Sequence, residues 1–418
     1  MRTRVQDAKL MHSLHPQLAV RVPALSPSSM LDFGSGPGTA ALVAAAVWPQ
    51  ACSELVCVEP SPYMRSLADS LQAAVSARQP QASPPPCRFI SALDRLRGPE
   101  QQRRYDLVIA AYSIGELPTR TARQQAIRRL WAHTRDVLVI VEPGTPKAST
   151  HVREARQDVL DLARRALRAQ DKLAHAAVRN SLLRASADAT PDDSSVHVVA
   201  PCAHEKRCPA EDTTATWCHF AQRVQRTTAQ RVSKGVSDVW SHQVRASCVF
   251  PVRDYRARLP CSPIPVCADQ DERFSYVILR RGPRPSPTSV AGQMQSRVSD
   301  DAVDEEEHAQ AAGHPEPPEE DSLAGDASDE DEDSNIADDK THVASAAAME
   351  LAVARAAAGW PRVMRPPRRR SRHLILDLCT TAGAFEQRTV AASHHRRLGP
   401  GTGDLVRRLR WGDAWPHP

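Results

Sequence analysis

Three cysteines, Cys202, Cys208 and Cys218, lie close together in the chain, and a fourth, Cys379, ends the apolar segment His373-Leu-Ile-Leu-Asp-Leu-Cys379. Thiolates are soft metal ligands, so such a set can hold zinc or an iron–sulfur cluster. The spacing Cys-x5-Cys-x9-Cys departs from that of zinc fingers, which pair their ligands two to four residues apart. Four irregularly spaced thiolates suit a [4Fe–4S] cube, in which each iron takes one protein ligand. His204 and His219 stand beside the cysteines and keep a mixed Cys/His zinc site open. Unconnected core thiols are the third alternative. Cys261 and Cys267 repeat the x5 gap and rival Cys379 as the fourth ligand. A centre joining residues 202 and 379 would restrict the unfolded chain and dock the C-terminal piece onto the rest, a structural role rather than a redox one.

A second motif precedes the cysteines. In Leu31-Asp-Phe-Gly-Ser-Gly-Pro-Gly38, three glycines follow a strand-like run and open a helix-like one. Glycines at that junction let backbone N–H groups approach a ligand closely at a helix N-terminus. Dinucleotide folds use similar chemistry, but two acids favour S-adenosylmethionine. Asp32 sits inside the loop, suited to the methionine end of that cofactor. Glu59 ends the next strand, where a carboxylate can accept ribose hydroxyls. Asp94 is placed to reach the adenine amino group. The cofactor-binding candidates are therefore Asp32, Gly34, Gly36, Gly38, Glu59 and Asp94. No catalytic residue is assigned. The Asn/Asp-Pro-Pro-aromatic motif of amino-methylating enzymes is missing, and the corresponding segment reads Ala111-Tyr-Ser-Ile-Gly-Glu-Leu-Pro118. Glu116 and Glu142 are carboxylates near strand ends that could line a pocket. Cys52 and Cys57 read as small core residues.

The elements that position these groups alternate strand and helix over residues 30–145, the pattern of an α/β parallel sheet of the Rossmann-like class I methyltransferase kind. Ser29–Phe33, Glu54–Glu59, Tyr105–Ala111 and Asp136–Val141 read as strands. Thr39–Val47, Pro62–Ala77 and Arg120–His133 read as helices. Tyr105–Ala111 and Asp136–Val141 are continuous apolar runs, as expected of strands covered on both faces. Residues 151–185 show helical spacing with Arg153, Arg156, Arg164, Arg165 and Arg168 interspersed. That face is either turned to RNA or simply solvated. Phe274–Arg280 is a further strand. The expected division is an N-terminal segment over 1–29, a Rossmann-like S-adenosylmethionine-binding domain with the Arg-rich helix over 30–195, and a cysteine-cluster region with a strand over 196–282. A disordered acidic linker follows over 283–345, and a C-terminal segment over 346–418 supplies the fourth cysteine and a basic tail. Residues 283–345 are rich in Pro, Ser and acids and poor in large apolar residues, too poor to offset chain entropy by burial.

Composition limits the partners. The chain has 418 residues and a net charge of +5. Residues 299–340 alone carry eighteen Asp/Glu against one Lys, so the remainder holds 53 Lys/Arg against 31 Asp/Glu. A folded part so basic favours a polyanion such as RNA. The acidic stretch reads as a solvated linker, or as a mimic of RNA that covers the basic face. No apolar run reaches the roughly eighteen residues of a membrane span. The N-terminal Arg2, Arg4, Lys9 and Arg21 against Asp7 are compatible with an organelle transit segment.

Several stretches together resemble one family, the methyltransferase-like proteins of the mitochondrial small ribosomal subunit, whose bacterial relatives are described as rRNA methyltransferases. They are Leu31-Asp-Phe-Gly-Ser-Gly-Pro-Gly-Thr39, Val141-Glu-Pro-Gly-Thr-Pro146, Ala200-Pro-Cys-Ala-His204, Trp217-Cys-His-Phe220, Phe274-Ser-Tyr-Val277, Leu376-Asp-Leu-Cys379 and Arg410-Trp-Gly-Asp-Ala-Trp-Pro416. The resemblance implies a class I methyltransferase fold, a [4Fe–4S] cluster on Cys202, Cys208, Cys218 and Cys379, and a matrix protein that assembles the small mitoribosomal subunit by binding its rRNA. Two further readings are an active S-adenosylmethionine-dependent rRNA methyltransferase and an iron–sulfur-sensing regulator of mitochondrial translation. Only about thirty residues precede the glycine loop, fewer than the family usually carries, which suggests a shortened N-terminus.

Overall fold

The computed structural model describes residues 18, 22, 25–48, 52–78, 87–96, 98–179, 195–211, 217–225, 269–284, 360–370, 373–391, 409, 411–413 and 415. The expected acidic linker, apart from Pro283 and Arg284, lies outside these residues, as do Cys248, Cys261 and Cys267.

The first half alternates strand and helix: β1 (Ser29–Phe33), α1 (Thr39–Val47), β2 (Glu54–Val58), α2 (Pro62–Arg78), β3 (Cys87–Ile90), β4 (Tyr105–Ala111), α3 (Arg120–Ala132), β5 (Thr134–Pro143) and α4 (Pro146–Arg179). Strands β1 to β5 are mutually parallel in the order β3-β2-β1-β4-β5. The sheet then continues antiparallel with β8 (Asp269–Arg281), which pairs with β5 from Phe274 to Arg280. The outer edge of β8 is shared. β7 (Phe220–Gln225) takes its first half and β6 (Val196–Ala200) its second. The segment 223–270, hard to read in the sequence, thus begins and ends in paired strand at its described ends.

Side chains on adjacent strand residues go to opposite faces. Met30, Leu107, Val137 and Val139 join one buried layer with Ala41 and Ala44 of α1. Leu31, Val108, Leu138 and Ile140 join the other, with Ile127 and Trp131 of α3 and Val152 and Val159 of α4. Helices on both faces explain why the parallel strands read as unbroken apolar runs. Thr119 starts α3 by accepting the Ala122 N–H on its hydroxyl, at 3.1 Å.

A second, antiparallel sheet holds β9 (Arg362–Val363), β10 (Arg368–Arg369), β11 (His373–Cys379) and β12 (Phe385–Ala391). Alternate residues Leu374, Leu376 and Leu378 pack with Val363, Val390, Leu409 and Trp415 in a separate small core. Cys379, at the strand end, belongs instead to the main core. The C-terminal sheet is therefore seated on the first one through the end of β11.

One carboxylate fastens the start of the parallel sheet. Asp106 Oδ2 accepts the N–H groups of Ser28 and Ser29 at 3.0 and 3.1 Å and both hydroxyls at 2.7 and 3.1 Å. Burial pushes its carboxyl up, but the serine hydrogen bonds and Arg135 outweigh that and hold it below its ordinary value. A depressed carboxyl contributes stability that is present above its unfolded pKa and lost as pH falls through the folded one. Asp106→Ala should cost about 2 kcal/mol at neutral pH, since hydrogen bonds to charged groups are lost. Thermal melts should show the difference from wild type shrinking as the solution is acidified below the carboxylate range.

Candidate functional site

The cleft lies at the C-terminal ends of the parallel strands, where open α/β sheets bind ligands. Its volume is about 830 Å³, and residues from the glycine loop, Glu59, Asp94, the turn after β4, the end of β5 and the start of α4 line it. Of the sequence-derived cofactor residues, Asp32, Gly34, Gly36, Glu59 and Asp94 line this one space, whereas Gly38 does not. Gly34, Gly36 and Gly38 all have positive φ, of 71°, 55° and 76°. At Gly34 the requirement is double, because a Cβ there would lie 2.4 Å from Ser113 Cβ. The loop closes on β2 through Gly34 and Ser35 N–H groups donating to the Val58 carbonyl at 2.9 and 3.2 Å.

Glu59 is buried and accepts the Gly36 N–H on Oε2 at 2.8 Å and the Ser61 N–H on Oε1 at 2.9 Å. Each oxygen keeps a lone pair for a ligand hydroxyl. Asp32 is buried at the end of β1. Asp94 is on the rim, its side chain 78% exposed and paired with Arg129 at 2.6 Å. Tyr112, at the end of β4, is a non-glycine residue at φ 54°. Such a backbone stores about 1–3 kcal/mol and recurs at ligand sites.

The far end of the cleft contains groups the sequence only half disclosed. Glu142 is 2% exposed and accepts the Gly115 N–H on Oε1 at 3.0 Å. Burial pushes its carboxyl up to about 7, against the pull of backbone N–H groups from residues 113–115. His151 on α4 is also buried, and its Nδ1 has no hydrogen-bond partner. Burial and then Arg123 push the His151 pKa down, so the ring is neutral at pH 7. The signal was present in principle: His151, Ala155 and Val159 follow one another at helical spacing on a buried stripe.

The four expected thiols also converge, and the strand register shows how. β6 and β7 run along the same edge of β8, β6 ending at Ala200 opposite Ile278 and β7 starting at Phe220 opposite Phe274, so Cys202, just past β6, and Cys218, just before β7, approach each other at that edge. The Cys218 carbonyl is held there by the hydroxyls of Ser149 and Ser275, at 2.9 and 2.8 Å. Cys379 lies opposite Arg362 in the β9–β11 register, and Arg362 Nε donates to the Pro201 carbonyl at 2.9 Å. Burial, then the neighbouring Cys202, Cys208 and Cys379, push the Cys218 thiol well up. Burial and Cys202 raise Cys208 and Cys379 in the same way. His204 Nε2 stands 3.4 Å from Cys379 Sγ. Among the described residues, no group of three or more His, Cys, Asp or Glu side chains is arranged as a metal-ion site.

The Arg-rich helix differs from the uniform basic face that the sequence suggested. Three of its arginines clamp the cysteine loop. Arg153 donates to the Ala210 carbonyl at 3.1 Å, Arg156 to the His204 carbonyl at 2.6 Å and Arg164 to the Glu205 carbonyl at 2.9 Å. Arg156 is 3% exposed, and its Nε and Nη1 are buried without partners. Arg362, which began a basic run in the sequence, is 2% exposed. Arg165 and Arg168 do face solvent. A groove between α3 and α4 that reaches Cys208 is lined by Arg120, Arg128, Arg153 and Arg165 and by Glu154, Asp158, Asp161 and Glu211, so its charges balance.

The raised Glu142 carboxyl has a measurable consequence. Its folded pKa lies above the unfolded value, so its contribution is complete below about pH 4.5 and is lost as pH rises through about 7. Glu142→Gln keeps the acceptor oxygen for Gly115 and cannot ionise. It should melt higher than wild type at pH 8, and that gain should vanish near pH 4.5, the ordinary value of a glutamate carboxyl.

A family model described as "Mitochondrial small ribosomal subunit Rsm22" matches residues 4–178, 179–247 and 322–416. The chain is 30% identical over 207 residues, 49% of its length, to the Homo sapiens "Ribosome assembly protein METTL17, mitochondrial". It is 22% identical over 93% of its length to the Schizosaccharomyces pombe "Rsm22-cox11 tandem protein 2, mitochondrial". These matches cover 39% and 38% of the two curated relatives, so the chain spans well under half of each. Among solved structures, magnesium protoporphyrin IX methyltransferase from Synechocystis PCC 6803 with bound SAM aligns at 18% identity and TM-score 0.28, over 38% of this chain and 73% of that one. With the family match running through the glycine loop, the cysteine loop and the strand of Cys379, the chain belongs to the Rsm22 family.

Proposed function

We propose that this protein acts in the assembly of the mitochondrial small ribosomal subunit, binding its rRNA in the matrix, with the four thiols holding a structural [4Fe–4S] cluster and the cleft taking S-adenosylmethionine. The observation that carries the reading is that one family match runs through both the cleft and the thiol centre. The names of the human and yeast relatives supply the ribosomal and mitochondrial context.

The donor chemistry fits a cluster. Four cysteines from three separate segments lie near enough to act on one another electrostatically, Cys202 and Cys379 buried and Cys208 and Cys218 half-buried. Two buried guanidiniums, Arg156 and Arg362, stand beside them, and Arg156 has orphaned donors. Buried positive charge demands nearby negative charge. A tetrathiolate cluster supplies it, whereas four neutral thiols do not. Cys202, Cys208, Cys218 and Cys379 would be the ligands, and the cluster would contribute cross-linking rather than chemistry. In the cleft, Glu59 would accept ribose hydroxyls and the glycine loop would face the cofactor's amino-acid end. The basic residues that do face solvent would meet phosphates, which position an RNA without reading its sequence.

Anaerobically prepared protein should show the broad visible absorption of an iron–sulfur cluster and about four irons per chain. Cys379→Ser should lose most of that iron and melt at lower temperature. Full iron and unchanged melting in the variant would remove the cluster assignment. Cells depleted of the protein should accumulate less mature small subunit on sucrose gradients, with the large subunit unaffected. Normal small-subunit levels would refute the assembly role.

A further inference from the structure

The cleft is larger than the cofactor residues require. Its glycine-loop half and Glu59 account for one end. The other end is walled by Tyr112, Gly115, Glu142, Lys147 and His151, which the cofactor reading leaves without a role. Two features make this end a built site. Glu142 Oε2 and His151 Nδ1 both crowd Gly115, where a Cβ would lie 2.7 and 3.5 Å from them. The absence of a side chain at that position is what lets the carboxylate and the ring approach the turn after β4. The His151 Nδ1 is also buried and unpartnered, and it belongs to a residue lining the cleft. A buried polar atom of this kind costs stability unless something pairs with it.

We propose that Glu142 and His151 form the methyl-acceptor half of the cleft, where Glu142 takes the proton from an N–H group of the acceptor. This goes beyond the assembly role and rests on the cofactor reading of the cleft. The acceptor nitrogen uses its lone pair to form the new N–C bond, the methyl carbon–sulfur bond breaks with its electrons going to sulfur, and the nitrogen's proton passes to the Glu142 carboxylate. Charge balances, since a sulfonium and a carboxylate become a thioether and a carboxylic acid. His151, neutral, pairs through Nδ1 with the acceptor and fixes its orientation.

The lining argues against a pyrimidine-carbon acceptor. Methylation of such a carbon needs a thiol that first adds to the ring, and among the described residues no cysteine lines the cleft. A base works best when its pKa is near the working pH, and Glu142 is held at about 7. The charged groups acting on the pair are Glu116 from the turn after β4, Arg123 from α3, and Lys147 and Glu154 from α4. A planar amine or amide edge of a nucleobase offers a donor to the Glu142 carboxylate.

The test uses the full chain and Glu142→Gln, which should fold at least as well as wild type. S-adenosylhomocysteine is titrated calorimetrically, and labelled methyl transfer from S-adenosylmethionine to transcribed small-subunit rRNA is followed against pH. Infrared spectra at pH 6 should contain a protonated-carboxyl band that the variant lacks. The variant should bind S-adenosylhomocysteine within about twofold of wild type. It should lose transfer by about 10²–10⁴-fold, the usual range for a general base. Wild-type transfer should rise as pH passes through about 7. The proposal is overturned if the variant transfers at the wild-type rate, if the label resides on carbon or oxygen, or if wild type binds S-adenosylhomocysteine yet transfers nothing. Failure of wild type to bind S-adenosylhomocysteine would remove the cofactor reading itself, a result distinct from the others.

Discussion

The shared outer edge of β8 organises this protein. An antiparallel strand of thirteen residues closes the parallel sheet against β5, and its other side is divided between β6 and β7. Because two strands dock end to end along one edge, the chain must leave the sheet and re-enter it at the same place. The loop between them carries Cys202, Cys208 and Cys218. Backbone pairing, which is satisfied only in this register, thus gathers three thiols without any attraction among the sulfurs themselves. The fourth comes from the second sheet, where Cys379 pairs across from Arg362 and Arg362 reaches back to Pro201.

The same geometry explains the arginine-rich helix. α4 crosses over the cysteine loop, and Arg153, Arg156 and Arg164 satisfy carbonyls there that no strand partner could reach. Buried loop carbonyls need donors, and long side chains from a neighbouring helix provide them. The helix also delivers His151 to the cleft near its N-terminal end. One element therefore touches both sites: its first turns face the pocket beyond β5 and its middle covers the thiols.

The parallel half was legible because its physics is local. Ser29–Phe33, Thr39–Val47 and Tyr105–Ala111 begin and end where the apolar runs and glycines imply. The glycine loop, Asp32 and Glu59 declared a ligand site through residue type and spacing. The antiparallel additions were harder. The pairing that stabilises β6 and β7 comes from β8, far along the chain. Arginine misled most. Charge reads as surface in a sequence, yet Arg156 and Arg362 are buried, and only tertiary contacts distinguish them from the exposed Arg165 and Arg168. His151 lay hidden because a histidine on an apolar helical stripe looks like any packed core residue.

The position of Cys379 has a consequence for biosynthesis. It emerges from the ribosome 161 residues after Cys218, so even once β6 and β7 have paired with β8 (Asp269–Arg281) the first three cysteines still await the fourth.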